Sequence, residues 1–336
     1  MKIKGEIVTF EEGDMAFARK FGPVRAAEMV LTFKDFNPGL PFIYDTYQLA
    51  HFLGMGRKSL FDLLRYTDRE YRTVNIKKKN GGGRTLHVLS PKLKRIQSIL
   101  LRHILNAFPV SQYATAYKEG TQLMDNAVPH VGKRYLLKLD ITDFFGSIRF
   151  DQVYRAAFNA NYSPKQIGLM LTRLCCRQEA LPQGAPTSPA LSNLVMKNFD
   201  NNIGAWCAKR GISYTRYCDD MTFSSDRPLY HAYEKAKAML EEMGFQLNEK
   251  KTRFVTNRSR QSVTGLTVNE KVSVSRKYKR ELRQELYYLL RFGDGSVSRC
   301  QCLIGKLNFV LQVEPENRWF RQVKERLSTM QSEKSC

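Results

Sequence analysis

At 336 residues the chain is long enough for two or three subdomains around one or two cores. Its 54 Lys and Arg outweigh 32 Asp and Glu, and the formal charge of +22 predicts a polyanionic partner, nucleic acid before membrane. Hydrophobic content is that of a folded protein, no apolar run reaches the roughly 18 residues of a transmembrane helix, and Met1–Glu6 leads into no signal-type apolar region, so a cytoplasmic protein with no membrane partner is expected. Seven cysteines, an odd number without a Cys-x-x-Cys pair, suit reduced thiols better than disulfides or zinc.

Residues 1–40 are weakly patterned up to the break at Asn37–Pro41 and read as an N-terminal extension. Residues 44–70 predict short helices, with Leu49, Phe52 and Leu53 on one apolar face and Leu60, Leu63 and Leu64 on another. Tyr71–Ile76 alternates like a strand, runs into the basic, glycine-rich stretch Lys77–Arg84, and continues in Thr85–Leu89. This is a hairpin whose tip is either a phosphate-contacting loop or a solvated turn, and it lacks the P-loop pattern. Ser90-Pro91 starts a helix, Ser90 as N-cap and Pro91 in the first position.

Asn126–His130 is a short segment ahead of the apolar strand Tyr135–Leu139, which ends in Asp140. Asp143 could simply cap the helix that follows, whereas Asp140, flanked by strand residues, is harder to explain that way. Residues 151–176 read as helices. Leu181–Leu194 is a proline-constrained loop that launches a helix at Ser188-Pro189 and can set backbone N–H groups and a side-chain amide against a ligand. Tyr214–Phe223 predicts a strand, a tight turn carrying Asp219 and Asp220, and a second strand. Two adjacent anions repel unless a cation lies between them, although a polar hairpin tip is the alternative at this point. An amphipathic helix over 230–243 stops at Gly244, and Phe245–Thr252 and Gln261–Val268 are both strand-like. From Arg276 the chain is helical and basic, interleaved with Tyr278, Tyr287, Tyr288 and Phe292, which suits a nucleic-acid groove or a solvated face.

Asp140 on one strand and Asp219-Asp220 on a hairpin supply hard oxygen donors of the kind Mg²⁺ prefers. Nucleotide addition uses two such ions about 3.5–4 Å apart. Tyr217-Cys218-Asp219-Asp220 resembles the Tyr-x-Asp-Asp box of reverse transcriptases. In the same order along the chain, Leu139–Phe145 resembles their first catalytic motif, Pro182–Pro189 their Gln-Gly box, and Gly244–Thr252 the following palm motif. Asn126-Ala127-Val128-Pro129-His130 and Val263-Thr264-Gly265 resemble elements of the retron subgroup. Together the motifs cover roughly residues 70–315, and Cys218 stands where alanine is usual.

The resemblance implies an α+β right-hand polymerase. It has an N-terminal extension over 1–44, fingers over 45–135, an antiparallel-sheet palm over 136–270 interrupted by finger-side helices at about 151–180, and a helical thumb and tail over 271–336. It implies that Asp140, Asp219 and Asp220 are catalytic and hold two Mg²⁺ ions, assisted by the Ile141 carbonyl. Phe145 would be the steric gate against a ribose 2′-OH. Gln183 and the backbone at Asp143 and Phe144 would touch the incoming dNTP, and Arg84 with a lysine of the Lys77–Lys79 run, taken as Lys78, would bind its triphosphate. Lys251 (with Lys250 as competitor), Val263, Thr264 and Gly265 would contact template, primer or RNA, and Asn126 and His130 would contact RNA or serve subgroup-specific structure. The partners implied are a cognate structured non-coding RNA, its branched RNA–DNA product (msDNA) and an effector protein in antiphage defence. The rival readings are another bacterial reverse transcriptase, of the intron or diversity-generating kind, and a polymerase-like module that only holds RNA.

Overall fold

Polar and apolar residues alternate along the end of Tyr135–Asp140, and in the computed structural model this run is a strand inside a four-stranded antiparallel sheet. The structure describes residues 2–3, 6–7, 12–36, 39–77, 83–292 and 297–335. The strand order is Ser213–Tyr217, Asp220–Ser225, Tyr135–Asp140, Arg253–Thr256. Register sets Asp140 opposite Asp220, and Lys138 opposite both Thr222 and Arg253. Side-chain alternation then sorts the sheet into two faces. One carries Thr215, Thr222, Ser224, Lys138, Asp140 and Asp220; the other carries Leu137, Leu139, Met221, Phe223 and Tyr214. The Tyr214 and Phe223 rings lie 4.8 Å apart on that second face.

The sheet belongs to one of two compact units, made of residues 120–140, 203–238 and 247–336. Helices Arg276–Phe292, Val297–Val313 and Arg318–Ser335 complete this unit. Leu282, Leu286 and Leu289 of the first helix and Leu303, Leu307 and Val310 of the second share a core with Leu136, Val263 and Val268. Each such burial contributes about 1.5–3 kcal/mol, which holds the helical end of the unit to the sheet. Phe245–Thr252, strand-like in sequence, is instead an irregular segment and turn, and the strand lies beyond it at Arg253–Thr256. The reason is local: the Lys251 and Thr252 N–H groups both donate to the Asn248 carbonyl, at 2.9 and 3.0 Å, closing a turn where a strand would extend. Within Gln261–Val268, Ser262–Val263 pairs with Leu266–Thr267 across a Thr264-Gly265 turn.

Residues 1–119, 141–202 and 239–246 form the other unit. Helices Glu12–Phe21 and Pro23–Phe36 occupy the weakly patterned N-terminus, where Phe17, Ala18, Ala26 and Val30 form a small core with Phe42 and Tyr44. The short helices Thr46–Phe52 and Arg57–Arg65 follow, as expected. Tyr71–Lys77 and Gly83–Leu89 pair as an antiparallel hairpin, and Ser90 caps helix Pro91–His103 by accepting from the Leu93 N–H at 3.2 Å. Gly168, on helix Lys165–Cys175, allows a close approach: a Cβ there would collide with the Phe158 carbonyl. No described helix is long and apolar enough to cross a membrane.

Candidate active site

The aspartate hairpin turns on two residues. Tyr217 pairs with Asp220, which leaves Cys218 and Asp219 as the loop. The sequence reading puts both aspartates in the turn; the register instead makes Asp220 the first residue of its strand, so pleating fixes which face it uses. Cys218 has φ +61°, the left-handed conformation that tight hairpins demand at the first turn position. For a residue with a Cβ this costs about 1–2 kcal/mol. A fully buried arginine supports it: Arg216 donates from Nη1 to the Cys218 carbonyl at 2.9 Å.

Asp140 and Asp220 are therefore directly opposed on one face, the arrangement in which like charges destabilise a sheet. Lys251 answers it, donating from Nζ to both oxygens of the buried Asp140 carboxylate at 2.9 and 2.7 Å. Of the two neighbouring lysines it is Lys251 that reaches the carboxylate, so the residue expected at nucleic acid is here a partner of the first aspartate. The Asn248 N–H donates to the Asp140 carbonyl at 2.8 Å and ties that turn to the strand end. Burial pushes the Asp220 carboxyl above the usual carboxylate range, Asp219 and Asp140 push it further, and Lys138 and Lys251 oppose the rise. The hydrogen bond to Asp140 raises Lys251 in turn.

Among the described residues, no three His, Cys, Asp or Glu side chains converge as they stand on a point an ion could occupy. Asp140 is turned to Lys251 instead. The donor set nonetheless fits a hard divalent cation: it consists of carboxylates, it is partly desolvated, and its members repel one another without positive charge between them.

Two segments brace this hairpin from inside the same unit. His130 is fully buried, with Nδ1 2.7 Å from Ser224 Oγ and Nε2 2.8 Å from Thr215 Oγ1. Thr215 Oγ1 also donates to the Asn126 carbonyl, so its single proton is committed. His130 must then donate from Nε2 and accept at Nδ1, a neutral imidazole. Burial pushes its pKa down to about 3, in keeping with that. Asn126 Nδ2 donates to Thr264 Oγ1 at 3.5 Å, and Thr264 and Gly265 both have positive φ, +46° and +87°. Asn126 and His130, expected either at RNA or in subgroup-specific structure, are both buried inside the unit, and Val263 is in its core.

The remaining candidates lie in the other unit. Phe144 and Phe145 are buried with ring centroids 5.4 Å apart, following Asp143 at φ +42°. Gln183 is half-buried and accepts at its backbone carbonyl from the His87 N–H at 2.9 Å, and Gly184 follows at φ +104°, a conformation that strains any residue with a Cβ. The Gln-Gly loop is thus joined to the Gly83–Leu89 strand. Arg84 pairs through its backbone with Ile76, while its side chain and all of Lys78 lie outside the described residues. Ile141 is buried directly after Asp140 in the chain.

A family model described as "Reverse transcriptase (RNA-dependent DNA polymerase)" matches residues 76–279. The Escherichia coli protein "Retron Ec86 reverse transcriptase" is 31% identical over 299 residues, 88% of this chain and 92% of that protein. The chain belongs to the retron reverse transcriptases. The Myxococcus xanthus protein "Retron Mx65 reverse transcriptase" is 34% identical over 270 residues, 74% of this chain and 62% of its own length. A second Escherichia coli protein, "Retron Ec83 reverse transcriptase", is 30% identical over 263 residues, 73% of this chain and 83% of its own.

As a reverse transcriptase the chain is an RNA-directed DNA polymerase with the α+β polymerase fold, from a family that uses divalent metal ions. Two residues around its motifs, Arg216 and Gln97, were not visible as site residues in the sequence, and a third, Lys251, was visible only in another role. Arg216 reads as an outward strand residue, and nothing local marks it as buried. Gln97 is also fully buried, donating to Tyr71 Oη and the Leu174 carbonyl and accepting from Thr187 Oγ1. It joins the hairpin base to the Gln-Gly loop, and its position on the apolar stripe of Leu93, Ile96 and Leu100 was the available signal. Lys251 could be placed near the motif but not paired with Asp140.

Proposed function

We propose that this reverse transcriptase copies a cognate structured non-coding RNA, begins DNA on a 2′-OH of that RNA, and leaves a branched RNA–DNA product. The observation that carries the reading is the opposed Asp140–Asp220 pair beside Asp219, clamped by Lys251, in a chain similar over 88% of its length to a retron enzyme. Asp140, Asp219 and Asp220 are the catalytic residues and, with the Ile141 carbonyl, would hold two Mg²⁺ ions. When bound, such ions supply a lower pKa for the priming hydroxyl and charge neutralisation for departing pyrophosphate. The protein's share is to keep three carboxylates in a fixed register, which the strand pairing and the braced turn support. Phe145 selects deoxyribose by crowding a 2′-OH, Gln183 and the Asp143–Phe144 backbone line the incoming dNTP, and Arg84 with Lys78 meets its triphosphate. The Thr264-Gly265 turn, held by Val263 in the core, sits near the primer, the 45–135 segment serves as fingers, 136–270 as palm and 271–336 as thumb. The setting is cytoplasmic antiphage defence with a separately encoded effector.

Primer extension on an RNA template with Mg²⁺ and dNTPs tests the site. Wild type extends, and Asp219→Asn with Asp220→Asn does not; incorporation that survives the double change refutes the assignment. In the same assay Phe145→Val admits ribonucleotides, and unchanged sugar selectivity removes the gate. Sequencing the nucleic acid that co-purifies with the enzyme tests the priming: a branched RNA–DNA species is expected, and only linear RNA would count against it.

A further inference from the structure

We propose that Lys138 and Arg253 together grip one backbone phosphate of the strand that carries the priming hydroxyl. Lys138, on strand Tyr135–Asp140, lies directly opposite Arg253 of the edge strand Arg253–Thr256. It precedes Asp140 by two residues, so it shares that residue's face of the sheet, and Arg253 shares it by pairing with Lys138. Like charges directly opposite one another destabilise a sheet. The Asp140–Asp220 pair on this face is answered by Lys251. The Lys138–Arg253 pair has no such answer. Among the described residues Lys138 makes no hydrogen bond or ion pair, and Arg253 donates from Nη1 only to the Thr252 carbonyl at 2.8 Å. Cations on an edge strand guard against stray strand pairing, which accounts for Arg253 and not for Lys138 on an interior strand. Lys138 also acts on Asp220 from beyond ion-pair distance, which accounts for one cation here and not for a second set against it. Both together call for an anion between them.

Position selects the anion. At the next pair on this face, Leu136 opposite Val255, the sheet is covered by the core that also holds Val263. Across the sheet, His130 covers Thr215 and Ser224. Lys138, half-buried, and Arg253, exposed, occupy the stretch between that core and Asp140. They are thus on the side of the aspartates where the Thr264-Gly265 turn meets the primer in the reading above. Two strand residues span about 6.6 Å. A nucleic-acid strand rises about 3.4 Å per nucleotide, so a phosphate held by the pair lies about two nucleotides behind a hydroxyl placed at Asp140 and Asp220. The template's backbone is the width of a groove away from that strand. A forked guanidinium and a point-charge ammonium can share the oxygens of one phosphate. The inference rests on the reading of these aspartates as the site of nucleotide addition.

The test uses the full chain and a DNA primer on an RNA template, with one primer phosphate at a time replaced by a neutral methylphosphonate. Binding is read by fluorescence anisotropy and extension in parallel. Wild type should bind about tenfold more weakly when the replaced phosphate is one of the few nearest the priming end, the loss expected for a charge-assisted contact. Lys138→Gln with Arg253→Gln should bind the unmodified duplex about tenfold more weakly and lose nothing further at that same phosphate. Lys138→Arg with Arg253→Lys should keep wild-type affinity and the same sensitive position. The glutamine variant should keep the KM for dNTP and a thermal midpoint no lower than wild type, because it removes a repulsion. Wild type and glutamine variant equally sensitive at every primer position overturns the proposal. So does a change confined to the KM for dNTP, or a raised Mg²⁺ requirement with unchanged duplex affinity, which would make Lys138 a counter-charge for Asp220 alone. Position-specific loss of binding that the glutamine variant abolishes, with no extension by wild type on any duplex, would count against the RNA-templated reading and not against this contact.

Discussion

Lys251 occupies both oxygens of Asp140, the position a metal ion would share. An ammonium and an ion on one carboxylate compete, and the amine side chain is more than half exposed, so the competition is modest, about 1 kcal/mol or roughly fivefold. Lys251→Met should therefore lower the Mg²⁺ concentration for half-maximal incorporation by about that factor, even as the maximal rate falls; Lys251→Arg should not. An unchanged Mg²⁺ requirement in a Mg²⁺ titration of Lys251→Met would remove the competition. His130 makes a second prediction at this scale. In the folded chain its pKa is about 3, against 6.5 as the ordinary value. Between these limits the unfolded state binds the extra proton, so stability falls as pH drops below about 6.5, by up to ~1.4 kcal/mol per unit, and is unaffected above it. Denaturant midpoints at about pH 6.5 and 5 should show wild type losing about 2 kcal/mol more than His130→Gln over that interval.

The hairpin that carries Asp219 depends on a strained turn. A side chain branched at Cβ at φ +61° is worse than cysteine, because it is restricted at χ1 as well as crowded by the carbonyl. Cys218→Val should lower incorporation at least about tenfold, the cost of roughly 1.4 kcal/mol at the turn that carries the proposed catalytic Asp219, while Cys218→Ala stays close to wild type. Equal activity of the two variants in single-turnover extension would mean that Arg216 does not hold the turn in this conformation. The same element shows what a sequence discloses. Two β-prone runs around Cys218-Asp219-Asp220 announce a hairpin, and Asp140 announces itself as a carboxylate ending an apolar strand. The residue that sits in the turn is a matter of register, and register depends on the pairing of Tyr217 with Asp220 rather than on composition. The edge strand Arg253–Thr256 was hidden for a related reason. Its burial is mostly that of a solvated loop, and the stronger β-propensity of Phe245–Leu247 was overridden by the Asn248 turn that delivers Lys251 to Asp140. The structural roles of His130 and Asn126 are not legible locally because their partners, Thr215, Ser224 and Thr264, are distant in sequence.

Across the whole molecule the +22 surplus has to be useful somewhere, because self-repulsion of this size opposes a compact state. Helix Arg276–Phe292 shows how the charge is kept outside a normal core. Leu282, Leu286 and Leu289 are buried, while Arg276, Arg280 and Arg291 are exposed alongside Tyr287, Tyr288 and Phe292. Polyanion binding by such a surface is driven by release of counterions, so log affinity for single-stranded RNA should fall linearly with log salt, by about 0.7 for each phosphate neutralised. Removing three of these charges together, Arg276→Gln, Arg280→Gln and Arg291→Gln, should flatten the slope by about 2 and weaken binding at low salt more than at high salt. The buried leucines are untouched, so the thermal midpoint should hold. Fluorescence anisotropy with one RNA across a salt series separates the outcomes. A parallel line displaced to weaker affinity would mean that the helix contributes through its aromatic rings and shape. A slope unchanged in both position and steepness would mean that RNA does not lie along this helix, and that the surplus acts through other basic stretches of the chain.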